Sequence, residues 1–181
     1  MILQYRGTSF FSRLIRWFTW GKYSHTSWSF CTVSDGELHG DLSEYGAWTN
    51  GGVQHVDHIG QNHTLHTRID LYDLRTPLAR EEAERGILFM QAQIGKKYDY
   101  RGLFGFLFRE KMDSADRWFC SELVFTFLRR CGRMILQGVK PYQVNPQMIP
   151  MSPEVVSVGY IYAGEGGRVY FENCVAERPK S

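Results

Sequence analysis

The sequence lacks any uninterrupted apolar run near the roughly 18 residues a membrane span requires. Its opening stretch, MILQYRGTSFFSRLIRWF, is broken by Arg6, Arg13 and Arg16, which excludes the apolar segment of a signal peptide. Cytoplasmic synthesis is the expectation, and virion association or delivery to the cell envelope would need another route. An excess of one charge is also missing. Twenty-one Lys and Arg stand against 19 Asp and Glu, a formal net charge of +2. So small an imbalance provides no field to attract a nucleic acid, which is excluded as the expected partner.

Cysteine is scarce: the four residues Cys31, Cys120, Cys131 and Cys174 are too scattered for a disulfide framework and include no CxxC pair. The glycines of Gly164-Glu165-Gly166-Gly167 follow no GxGxxG pattern, and no phosphate-binding lysine loop is present. No cofactor is expected. Without repeats, linkers or low-complexity tracts, 181 residues at about 150 per domain read as a single domain spanning 1–181.

What is present is patterned. Phe11, Leu14, Ile15 and Phe18 recur at helical spacing between Thr8 and Thr19, with Thr8 or Ser9 as N-cap. The run His25 to Val33, the pair Asp35-Gly36 and the run Glu37 to Leu42 read as a hairpin. Strands are predicted around Val53 to Val56 and His63 to Leu71. After Pro77 the period changes, with Ala83, Ile87, Met90 and Ile94 on one helical stripe and Gly95 beyond it. A second stripe, Cys120, Leu123, Val124, Phe127, Leu128 and Cys131, closes at Gly132. Prolines 141, 146, 150 and 153 mark loops, and final strands are predicted within 155–171 at Val155 to Tyr162 and Arg168 to Phe171. Strands, then helices, then strands define an α+β class.

Cys120, in Trp118-Phe119-Cys120-Ser121-Glu122-Leu123, falls where a helix starts. Unpaired backbone N–H groups and the helix dipole favour a thiolate there. The competing reading is a core thiol, since Cys120 shares its stripe with Leu123 and Phe127. A thiol nucleophile needs a base and a group that orients the base. His25 opens a strand on the same face as Ser27 and Ser29, opposite Trp28 and Phe30. On the predicted partner strand Glu37, His39 and Asp41 share one face, and any of the three is a candidate to orient His25.

Taken in order, Tyr5-Arg6-Gly7, Ser24-His25-Thr26-Ser27-Trp28, Leu38-His39-Gly40, Gly52-Val53, Ile94-Gly95-Lys96-Lys97-Tyr98-Asp99 and Phe119-Cys120-Ser121-Glu122-Leu123-Val124 resemble a known family. The last two pieces are similar to the Gly-Lys-x-Tyr and Cys-Ser-x-Leu-Val core of NlpC-type cysteine peptidases. The His strand precedes the Cys helix, an order similar to the circularly permuted papain-like branch. That branch includes bacterial amidase-like proteins and lecithin retinol acyltransferase relatives.

The resemblance covers about residues 5–131. It implies a central antiparallel sheet packed against helices that include the Cys-bearing one. It also implies Cys120 as nucleophile, His25 as general base, His39 as orienting group and Tyr98 as a donor near the oxyanion. Two positions depart from the family pattern: many relatives carry a glutamate as the third group, and Glu122 stands where non-permuted enzymes have Gly. The implied chemistry is hydrolysis or acyl transfer at amide or ester bonds through a thioacyl-enzyme. Substrates would be bacterial cell-wall peptides or other acyl groups, with a bacteriophage or secretion machine as the delivery route. The alternative is a non-catalytic structural or docking module, such as a virion component.

Three further features are weighed. His55, His58, His63 and His66 lie close in sequence, but i and i+3 on a strand face opposite ways, so surface histidines rather than a metal site are expected. The aromatics of Phe10-Phe11, Trp17-Phe18 and Trp20, interleaved with Arg13, Arg16 and Lys22, suit a peripheral membrane or protein docking face. Core packing with a basic rim is the preferred reading. The piece Leu103 to Phe108 is a candidate wall of a substrate cleft or a buried helix.

Overall fold

A computed structural model describes residues 1–100, 116–165 and 167–171. Strands β1 (Ile2–Tyr5), β2 (His25–Ser34), β3 (Glu37–Trp48), β4 (Gly52–Val56), β5 (Arg68–Leu74) and β8 (Val155–Tyr162) form a six-stranded sheet of order β4-β3-β2-β1-β5-β8. Every neighbouring pair in it is antiparallel. The α+β class is as expected. Two-residue strands β6 (Lys97–Tyr98) and β7 (Arg117–Trp118) pair in parallel beside it. The helices are α1 (Phe10–Thr19), α2 (Arg80–Gln93) and α3 (Cys120–Arg130).

Each side of the sheet buries a different set of residues, as the period of two along its strands requires. On one side Ile2, Trp28, Tyr45, Ala47 and Val53 pack with Leu123, Val124 and Phe127 of α3. The Trp28 and Phe127 rings lie 4.6 Å apart. On the other side Leu3, Tyr5, Ile69, Leu71, Ile161 and Ala163 form a second core, with Ile59 from the β4–β5 loop against it. The sheet curls around this second core. Val169 N–H donates to Gly36 O (2.9 Å) and Tyr160 N–H to Tyr170 O (2.8 Å), so residues 167–171 join β8 to the far end of the β2–β3 hairpin.

Three boundaries differ from expectation. The hairpin's second strand runs on past Leu42 to Trp48, because Gly40 (φ +91°), opposite Cys31, sits at a register shift rather than at a strand end. The strand predicted from His63 starts at Arg68 instead. His63 to Thr67 form turns that cross the open side of the sheet, with His63 N–H on Gly60 O (2.9 Å) and His66 N–H on Ala163 O (2.9 Å). The run Arg168 to Phe171 makes single bridges, not a strand. The piece Leu103 to Phe108 and Cys174 lie outside the described residues.

Candidate functional site

Cys120 is the first residue of α3, and Glu122 in the first turn reaches back to accept from Phe119 N–H at 3.4 Å. The thiol is fully buried. Close to its sulfur lie the backbone N–H groups of Thr26, Ser121 and Cys120 itself and the Tyr98 hydroxyl, each of which favours the thiolate. Burial outweighs these donors and pushes the thiol up to about 12. The structure therefore brings Cys120 and Tyr98 together. Tyr98 is held there by β6, where Lys97 N–H donates to Asp116 O (3.0 Å), Asp99 N–H to Trp118 O (3.0 Å), and the strand pairs with β7 just before the helix.

Thr26, the residue after His25, belongs to the same side of the sheet. Its hydroxyl donates to Gln4 Oε1 (2.9 Å), and Gln4 Nε2 is buried with no hydrogen-bond partner. Sequence reasoning passed over Gln4, because a lone glutamine on a short strand carries no motif.

His25 is buried and turned the other way. It pairs in register with Tyr5, and its ring meets Tyr5 at 5.2 Å, Trp48 at 5.3 Å and His63 at 5.1 Å between centroids. Paired residues of an antiparallel ladder share a face, so His25 lies on the Tyr5 side and Cys120 on the Ile2 side. Among the described residues His25 and Cys120 are not hydrogen-bonded to each other. His25 Nε2 has no hydrogen-bond partner at all. Burial, reinforced by His63, holds the imidazole well below its ordinary range, so it is neutral.

His39 is a correction. It pairs with Thr32 near the exposed tip of the hairpin, and its Nε2 contacts Ser34 O at 3.2 Å. Seven residues along β2 from His25 is about 23 Å at a strand's rise per residue. Glu37 pairs with Ser34 at that same tip, while Asp41 Oδ1 accepts from Ser43 N–H at 2.9 Å. None of the three orients His25.

The groups that do surround His25 come from elsewhere. His63 stacks on Tyr5 at 4.0 Å, and burial lowers it to about 4. Tyr5 donates to Glu44 Oε2, which also accepts from Ser27 Oγ at 2.6 Å, while Glu44 Oε1 accepts from Gly60 N–H at 3.2 Å. Burial pushes this carboxyl up to about 7. Glu44 lies beyond the run Glu37 to Leu42 that the sequence marks as a strand, which in the structure continues to Trp48. His63, which the sequence pattern places as a surface histidine on a strand, instead lies in a turn and packs half-buried on Tyr5.

The other histidines are as expected in part. His55 stacks on Tyr45 and contacts Ser43 Oγ at 2.7 Å, and exposed His66 meets Glu165 at 3.0 Å. No group of three or more metal-ligating side chains occurs among the described residues. No helix among them is long and apolar enough to cross a membrane.

The architecture is shared with a solved protein. The crystal structure of metalloprotein yiiX from Escherichia coli O157:H7, DUF1105, is similar over 89% of this chain and 96% of that one, with TM-score 0.63 and 18% identity. At that identity the likeness is one of fold. No family model matches the sequence, and no curated protein matches it.

Proposed function

We propose that this chain is a cysteine-dependent hydrolase or acyl transferase with Cys120 as nucleophile. The observation that supports this reading is the convergence of three backbone N–H groups and the Tyr98 hydroxyl on one buried sulfur at a helix start. These donors offer a neutral thiol, a weak acceptor, much less than they offer the thiolate whose sulfur attacks a carbonyl. Cys31, by contrast, lies inside β2 rather than at a helix start, with the Ser29 hydroxyl, its own N–H and the N-terminal ammonium near it.

The proposed steps are ordinary acyl transfer. The Cys120 proton passes to His25, the sulfur bonds to the acyl carbon, and the leaving group takes the proton from the imidazolium. Water or another acceptor then releases the acyl group. Neutral His25 is in the form that accepts a proton. His25 faces Tyr5 and Trp48 on the other side of the sheet, so the transfer requires the start of β2 to rearrange and not a turn of the ring alone. The permuted papain-like resemblance of the motif order supports amide or ester substrates, bacterial cell-wall peptides among them.

A second reading is favoured by one observation: His25 faces away from Cys120. A fold that keeps the nucleophile without its base would act as a docking module. The neighbour is called a metalloprotein, and metal binding would be a third role. The described residues offer no ligand cluster that supports it.

Wild type and Cys120→Ala, assayed on cell-wall fragments and a panel of activated acyl esters, separate the readings. Turnover by wild type that disappears in Cys120→Ala supports the enzyme. Equal background rates in both proteins support the module.

A further inference from the structure

Helix α1 has two unlike faces. Phe11, Leu14, Ile15 and Phe18 pack into the core. Phe10, Trp17 and Trp20 point outward and are 80%, 66% and 91% exposed. Core packing therefore accounts for two of the five aromatic residues here, Phe11 and Phe18, and the preferred reading of core packing with a basic rim leaves Phe10, Trp17 and Trp20 unexplained. At about 3.6 residues per turn, Phe10, Arg13 and Trp17 fall on one stripe that Trp20 extends.

The end of the helix holds Trp20 outward. It is the C-cap, with φ +50°, and its N–H donates to Trp17 O at 3.4 Å. The left-handed region favours Gly or Asn there, so a fully displayed tryptophan is kept at a backbone cost. The local charge has one sign. Residues 1–34 contain Arg6, Arg13, Arg16 and Lys22 and no Asp or Glu. Arg6 is taken up by Asp70 at 2.5 Å, whereas Arg13 lies exposed between Phe10 and Trp17.

We propose that this face of α1 docks on the surface of an anionic lipid bilayer. Tryptophan rings settle at the headgroup level, phenylalanine reaches the acyl boundary, and arginine between them meets lipid phosphate. A second copy of the chain is a poorer occupant. A two-fold contact on this stripe would set Arg13 of one copy near Arg13 of the other. Docking does not depend on any chemistry at Cys120.

The test is co-sedimentation and tryptophan fluorescence of the full chain with phosphatidylcholine vesicles, with and without phosphatidylglycerol. Wild type is expected to pellet with the anionic vesicles, with a blue-shifted emission, and to be released by high salt. Trp17→Ser combined with Trp20→Ser is expected to abolish binding. Arg13→Glu, which changes two charges at the surface, is expected to weaken it by at least about tenfold. All variants alter exposed side chains, and circular dichroism checks that they fold. Failure of wild type to bind anionic vesicles overturns the proposal, as does full binding by the double Trp variant. Self-association that the double Trp variant loses, without vesicle binding, assigns the face to a second copy and overturns it equally.

Discussion

The rings of His25 and His63 stand 5.1 Å apart, and the Nε2 atom of each is buried without a hydrogen-bond partner. Two neutral imidazoles are thus enclosed with Tyr5 and Trp48 on the side of the sheet opposite the Cys120 helix. Such an arrangement is stable only while both stay uncharged. Burial lowers both, and the neighbouring His63 lowers His25 further.

Acid sensitivity follows with a definite sign. His63 titrates near its ordinary 6.5 when unfolded and at about 4 when folded. Between those values the unfolded chain binds more protons, so stability falls as pH drops from 6.5 toward 4. His63→Phe keeps a ring on Tyr5 and removes the proton site. Relative to wild type it is expected to gain about 1–3 kcal/mol between pH 7 and pH 4. Urea melts at both pH values measure this, and a difference that does not change with pH contradicts it.

Glu44 works in the opposite direction. Its carboxyl is raised from 4.5 to about 7 by burial, against the opposing hydrogen bonds of Ser27, Tyr5 and Gly60. Between those values the folded chain binds more protons, so this group costs stability as pH rises. Glu44→Gln is expected to gain on wild type by about 2–3 kcal/mol between pH 4.5 and pH 8. Unfolding curves at the two ends of that window test the slope, and parallel behaviour of the two proteins rules it out.

Tyr98→Phe removes one of the donors on the Cys120 sulfur. The lost buried hydrogen bond is expected to cost about 1 kcal/mol of stability. If the hydroxyl also stabilises developing negative charge, acyl turnover drops by about 10²-fold with the fold retained. A variant with wild-type turnover would remove Tyr98 from the site.

Gly52→Ala tests how β4 positions Tyr98. At Gly52, φ is +71° and an added Cβ would lie 2.1 Å from Lys96 O. That carbonyl accepts from Val53 N–H at 2.8 Å, two residues before Tyr98. The substitution must move backbone, and about 2 kcal/mol or more of destabilisation is expected. Gly95→Ala is the control, with φ +85° but no atom within 4 Å of the new Cβ. Its cost is expected to be about 1 kcal/mol, the conformational term alone. Equal losses in chemical denaturation would show that the Lys96 contact is immaterial.

The helices were the most legible part of the chain. Apolar residues at helical spacing mark α2 and α3, and Gly95 and Gly132 follow their ends, because capping and helical period are local properties; the buried face of α2 is nonetheless Gly86, Met90 and Gln93, with Ile94 of the predicted stripe 47% exposed. The alternation that put His25 opposite Trp28 was legible for the same reason. What lay beyond reach depended on contacts distant in sequence. The register shift opposite Gly40 carries β3 on to Glu44, and that register places Glu44 beneath Tyr5, which is 39 residues away. The turns after β4 fold back over the sheet and bring His63 to Tyr5. The expectation for His39 failed because the hairpin's length separates its tip from its base. A period of two gives the face of a residue but not its distance along the strand.

The most direct test of the Cys120 assignment is its rate of alkylation by iodoacetamide, followed by peptide mass analysis. Cys31 and Cys131, which are also buried, are the internal references. The account predicts that Cys120 is modified at least about tenfold faster than either and that His25→Ala removes the advantage. A Cys120 no more reactive than Cys31 and Cys131, and indifferent to His25→Ala, would contradict it.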